Sequence, residues 1–123
     1  MGIQKEKEMK LIQEKANLVL NKVEESEEGD LGRAYSEWCE NHYDSEELAE
    51  FHDNDNVQEP FDKAQSMFIG MFDDLEEAVR ADVAGRIFRD SSFACLIECI
   101  DWDRLIKDWA DRYVRFDVYW FRV

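Results

Sequence analysis

The chain has 123 residues, with 30 Asp and Glu against 15 Lys and Arg and a formal net charge of −15. That balance sets aside direct nucleic-acid binding and docking on an anionic membrane as leading functions, because both need a basic face. Leu, Ile, Val and Phe supply 31 residues, about a quarter of the chain and above the level at which acidity leaves a chain disordered.

The first predicted element is a helix from about Lys5 to Ser26, in which Ile12, Ala16, Val19, Leu20 and Val23 recur at helical spacing among Lys and Glu. Gly29 and Gly32 read as its stop, with Asp30 capping a second helix, Arg33 to Asn41, that buries Ala34, Tyr35, Trp38 and Cys39. Asp44 and Glu47 form a capping box for a third helix with Leu48 and Phe51 inward. His52 to Asn56 reads as loop. Pro60 suits the first turn of a helix carrying Phe61, Ala64 and Phe68, which Gly70 ends.

Asp73 or Asp74 then caps a helix from Leu75 to Val83, with Leu75, Ala78, Val79 and Asp82 in register. The segment Ile87–Phe93 has no clear period. Asp101 caps a helix from Trp102 to about Asp111 that buries Leu105, Ile106 and Trp109. From Tyr113 to Val123 the period becomes two, with Val114, Phe116, Val118 and Trp120 on one face of a strand. The expected fold is α+β, predominantly helical, with a short C-terminal β element. It divides into an amphipathic helix over residues 1–28 and an acidic α+β domain over 29–123.

The charge is uneven along the chain. Residues 1–22 carry five Lys and three Glu, net +2. Residues 23–85 carry 20 acids against Arg33, Lys63 and Arg80, net −17, and residues 86–123 balance seven acids with seven bases. No apolar run approaches the roughly 18 residues a membrane span needs. The opening residues lack the apolar stretch of a secretory signal, and three Cys is an odd number. A soluble, reducing, cytoplasmic setting is expected.

Catalytic chemistry finds little support. His42 and His52 are the only histidines, neither stands at a motif spacing from a nucleophile, and no glycine-rich phosphate loop is present. The run Asp53-Asn54-Asp55-Asn56 starts like a calcium loop, but Gln58 occupies the turn-glycine position and Ala64 that of the bidentate Glu. Cys39 with His42, and Cys95 with Cys99, are loose spacings for zinc, and these cysteines sit among apolar residues as core side chains do. No enzyme activity, cofactor or metal is expected.

The acidic block is harder to read as ordinary solvation. Glu46 and Glu50 stand four apart on one helix with no interleaved Lys, a repulsive arrangement that stability alone does not favour. Duplex DNA carries a charge per roughly 1.7 Å of axis, so 17 net charges correspond to about 29 Å of duplex. Acids on adjacent helical turns lie about 5–6 Å apart, close to the phosphate spacing of a strand. Such a surface suits the basic groove of a DNA-binding protein. Its candidate contact residues are Glu37, Glu40, Asp44, Glu46, Glu47, Glu50, Asp53, Asp55, Glu59, Asp62, Asp73, Asp74, Glu76 and Glu77.

Three segments resemble one family in its own order. Phe68-Ile69-Gly70-Met71-Phe72-Asp73-Asp74-Leu75-Glu76-Glu77 is similar to the aromatic-x-Gly-x-aromatic-x-Ser/Asp-x-Glu-Glu pattern of ArdA-type antirestriction proteins. Ile100-Asp101-Trp102-Asp103, with Leu105 and Asp108, and the closing Tyr119-Trp120-Phe121-Arg122 resemble two further stretches of that family. Tyr35 to Glu40 matches its acidic helical region less specifically. The resemblance implies an acidic, usually dimeric DNA mimic of phages and mobile elements that fills the DNA groove of a type I restriction–modification enzyme. It favours Asp73, Asp74, Glu76 and Glu77 as contacts and Asp101 as a cap. The sequence departs from the family where a single helix replaces an N-terminal domain, where Lys107 and Trp109 interrupt the match to the Arg-Asp-Leu ending of the family's middle stretch, and where Ala78 replaces an aromatic. The alternatives are a CRISPR-effector inhibitor working by the same mimicry, whose target also offers a basic channel, and an interaction module dimerising through its N-terminal helix.

Overall fold

The computed structural model describes residues 2–87 and 98–123. The fold is α+β and predominantly helical, with a small three-stranded antiparallel sheet. The chain forms two compact units, Met1–Ser66 and Met67–Val123. The N-terminal helix is thus packed inside the first unit, and the partition differs from the expected one at residue 28.

The first unit is built from α1 (Gly2–Glu25), α2 (Gly29–His42), α3 (Ser45–Asp53) and most of α4 (Gln58–Met67). The apolar stripe of α1 goes inward as its spacing requires. Ala16, Val19 and Val23 are buried against a core that includes Ala34, Tyr35, Trp38, Cys39, Leu48, Phe61 and Ala64. Two buried polar atoms are satisfied locally. The Ser36 hydroxyl donates to the Leu20 carbonyl at 3.0 Å, and the Cys39 thiol to the Pro60 carbonyl at 3.4 Å. At 1.5 Å per residue α1 is roughly 36 Å long, against roughly 21 Å for α2 and 14 Å for α3. Its N-terminal half outruns them, and residues 4–11 are all exposed.

The α1–α2 junction departs from expectation. Helix α2 begins at Gly29 after Glu28, whose side chain makes no capping bond, so Asp30 lies in the first turn and is not the cap. Gly29 takes the stop role, with φ +73°. Gly32 is a buried helical residue, and a Cβ there would lie 2.2 Å from the Glu27 carbonyl oxygen and 2.3 Å from that of Glu24. It permits the close approach of the end of α1. The third helix runs to Asp53, so His52 and Asp53 are helical and not loop.

The second unit contains β1 (Phe68–Met71), α5 (Leu75–Ile87), α6 (Trp102–Trp109), a 3₁₀ turn (Ala110–Arg112), β2 (Tyr113–Phe116) and β3 (Tyr119–Arg122). Two predicted elements change here. Phe68 opens a strand and does not extend α4. The C-terminal strand is a hairpin, turned at Asp117, which adopts φ +58°. The strand order is β1-β3-β2, with Phe68 opposite Phe121, Gly70 opposite Trp120, and the register shifted between them. Gly70 sits at φ +157°, and a Cβ would lie 2.9 Å from the Phe72 ring, so both backbone and space favour glycine. Ala78, Val79 and Val83 of α5 pack with Tyr113 and Trp120 of the sheet. Helix α6 stops at Trp109 and adds no fully buried residue; Leu105, Ile106 and Trp109 are half-buried against that cluster. Asp101 caps α6 by accepting the Arg104 N–H at 3.3 Å. The segment Phe88–Phe93 and Cys95 lie outside the described residues.

Candidate partner-binding surface

Of the fourteen candidate acids, thirteen are exposed and Glu37 is half-buried. Ten belong to the first unit and four, Asp73, Asp74, Glu76 and Glu77, to the second. The first unit holds 18 acids against 7 bases, net −11, and the second 12 against 8, net −4. From residue 29 to 66 only Arg33 and Lys63 oppose eleven acids. The surface is densest over α2, α3 and α4.

Several of these carboxylates have local work that places them. At the start of α3 the Asp44 carboxylate accepts the Glu47 N–H at 2.7 Å, while the Glu47 carboxylate accepts the Asp44 N–H at 3.2 Å. Both orphan donors are satisfied, and two negative charges sit at the positive end of the helix. The start of α5 uses the same device. Asp74 accepts the Glu77 N–H at 2.9 Å and Glu77 accepts the Asp73 N–H at 3.1 Å. This settles the α5 cap on Asp74. At the start of α4, Asn56 donates to Glu59 at 2.9 Å, and within the helix Gln58 donates to Asp62 at 2.7 Å.

Two of the fourteen are partly neutralised within the chain. Lys15 of α1 donates to Asp53 at 2.7 Å, and this bond holds the Asp53 carboxyl below the usual carboxylate range. His52 Nδ1 lies 3.6 Å from the same oxygen, too far for a good hydrogen bond. Arg80 grips Glu76 across one helical turn at 2.7 Å and 3.2 Å. Among the described residues, Glu37, Glu40, Glu46, Glu50, Asp55 and Asp73 make no side-chain ion pair, and these carry the least compensated charge.

The sequence reading missed a buried polar centre in the second unit. Asp82, 4% exposed, accepts the Tyr113 hydroxyl at 2.6 Å through one oxygen. Its other oxygen takes Arg122 Nε at 2.9 Å and a terminal guanidinium nitrogen at 2.7 Å. The signal was present: an aspartate in the buried register of α5 must find donors. This triad floors a cleft of about 400 Å³ that also has Trp109, Asp111 and Arg112 on its walls. Arg112 lies over the Trp109 ring at 4.7 Å, as Arg80 lies over Trp102 at 5.0 Å and Arg115 over Trp120 at 5.6 Å. The side-chain charges in the cleft balance, two aspartates against two arginines, and Asp82 is fully engaged.

The loose metal spacings find no cage among the described residues, where no three His, Cys, Asp or Glu converge as a metal ion requires. Cys39 is buried with its thiol pushed up to about 12 by desolvation, and His42 is instead stacked on Trp38 with ring centroids 4.4 Å apart. No helix among the described residues is long and apolar enough to cross a membrane. Comparison with protein-family models, with curated proteins and with solved structures gives no match.

Proposed function

We propose that this protein is an acidic inhibitor that occupies the DNA groove of a host defence enzyme, foremost a type I restriction–modification enzyme, by steric and electrostatic competition. One observation carries the reading: thirteen of the fourteen candidate acids face solvent, on short helices and the turns that lead into them, where almost no base opposes them. A carboxylate exposed and unpaired gains nothing for the fold, whereas a basic groove would pair with many of them at once and release its counterions as DNA does. The ordered similarity of residues 68–77, 100–108 and 119–122 to ArdA-type proteins supports the same target. Under this reading the protein performs no catalysis, and the fourteen acids act by number and placement.

Glu40, Glu46 and Glu50 are the first residues to test, because each is exposed and free of capping duty. The experiment is competition between the protein and a labelled duplex for a type I methyltransferase core, run beside a CRISPR effector as a second basic target. Displacement of duplex from the methyltransferase supports the proposal. Displacement from the CRISPR effector alone moves the target while keeping the mimicry. Unchanged duplex affinity for both, with the protein in large excess, overturns it.

A further inference from the structure

The outward face of α1 carries an apolar seam that the fold does not use. Leu11 and Leu18 are 51% and 49% exposed and stand seven residues apart, on the side opposite Ala16, Val19 and Val23. Seven-residue spacing keeps a seam in line along a pair of supercoiled helices. The charge beside it changes along the helix, from net positive at the N-terminal end to net negative at the C-terminal end. Lys7 and Lys10 flank Leu11, while Glu24 and Glu25 follow Leu18, and all four are exposed.

From this pattern we infer that α1 pairs with the α1 of a second copy in antiparallel orientation. In the antiparallel register centred on Ala16, Lys7 faces Glu25 of the second copy, Lys10 faces Glu24, and Glu8 faces Lys22. The two-fold axis repeats each contact, giving six attractive pairs against one like-charge contact at the axis, Lys15 on Lys15, where each lysine already binds its own Asp53. The leucines of the two copies then interleave one turn apart along the seam. A parallel pair is opposed by the same residues, since it sets Lys7 on Lys7, Glu14 on Glu14 and Lys10 on Lys15. Among the described residues, none of Lys7, Glu8, Lys10, Lys22, Glu24 and Glu25 makes an ion pair within its own chain. The seam is narrow, so the dimer is weak and reversible and its orientation is set by charge. This inference is independent of the proposed function, because α1 holds none of the fourteen candidate acids.

Sedimentation equilibrium of the full chain at low salt, from micromolar to near-millimolar concentration, tests it. The expected result is a concentration-dependent dimer. Lys7→Glu turns two symmetric attractions into repulsions and lowers association about tenfold. Adding Glu25→Lys to that variant restores it, which a parallel pair would not allow. Both sites are exposed, and an unchanged far-ultraviolet circular dichroism spectrum verifies that the variants are folded. A monomer throughout the range overturns the inference. So does a dimer indifferent to Lys7→Glu, or a double variant that does not recover.

Discussion

At the scale of single residues, the buried positions make the sharpest demands. Gly32 leaves 2.2 Å between a would-be Cβ and the Glu27 carbonyl oxygen, and backbone cannot step aside as a flexible side chain does. Gly32→Ala should therefore destabilise the protein by about 1–3 kcal/mol, in the range of other overpacked sites, read as a lower midpoint in urea. Asp82 makes a different demand. Asp82→Ala strands the Tyr113 hydroxyl and a guanidinium only 28% exposed. A loss of about 2–4 kcal/mol follows, somewhat below a fully buried pair, and Asp82→Asn should cost less because it still accepts a hydrogen bond from Tyr113. Chemical denaturation of the two variants side by side checks the order. Cys39, with its thiol near 12, has a thiolate fraction of order 10⁻⁴ at pH 8 and is shielded. Iodoacetamide at that pH should label the exposed Cys99 and leave Cys39 until urea opens the core, as peptide mass mapping would show. Of these three positions, the sequence places Cys39 and Asp82 on buried helix faces and misreads Gly32. It read Gly32 as a stop because a glycine needed for clearance looks the same as one needed for a turn, and it saw Asp82 in register without its donors, which lie at the far end of the chain.

At the scale of elements, local rules were legible and distant pairings were not. The capping box of Asp44 and Glu47 and the cap at Asp101 are contained within four residues, so the sequence reveals them directly. The strand at Phe68–Met71 is different. Phe61, Ala64 and Phe68 keep helical spacing, and only pairing with β3 pulls Phe68 out of the helix. The period-two run after Tyr113 was read correctly as strand, but the fold back at Asp117 lacks the usual Asn-Gly or Asp-Gly signal. The bond joining α1 to α3 is equally long-range and makes a pH prediction. Asp53 titrates below the ordinary carboxylate value because Lys15 stabilises its charged form. A group depressed on folding adds stability above its unfolded pKa and loses it as pH falls through the folded one. The Lys15–Asp53 link should thus be fully present at neutral pH and weaken only below about pH 4. In Lys15→Ala the Asp53 carboxyl should titrate higher, toward an ordinary aspartate, in a carbon-detected NMR titration; an unmoved Asp53 would break the assignment.

At the scale of the whole molecule, charge is shared unequally, net −11 on the first unit and −4 on the second. The candidate acids were identifiable in sequence because carboxylates on short amphipathic helices are bound to face water. Their neutralisation was not, since Lys15 and Asp53 meet only through tertiary packing. A partner bound by such a surface should be salt-sensitive. The Debye length shrinks from about 10 Å at 0.1 M to about 3 Å at 1 M salt, so affinity for a basic target should fall steeply between those limits. Binding isotherms at stepped ionic strength test this, and a flat response would mean that apolar contact, not charge, holds the complex.

The tryptophans divide between the units in a way that has an optical consequence. Trp38 is the only one in the first unit and is fully buried against the His42 ring. Trp102, Trp109 and Trp120 all lie in the second, each under an arginine. A Trp38→Phe variant therefore emits from the second unit alone, and its difference from the wild-type signal belongs to the first. Two fluorescence traces from one titration can then reveal whether a ligand, denaturant or change of pH is felt by the strongly acidic half, by the sheet-bearing half, or by both together.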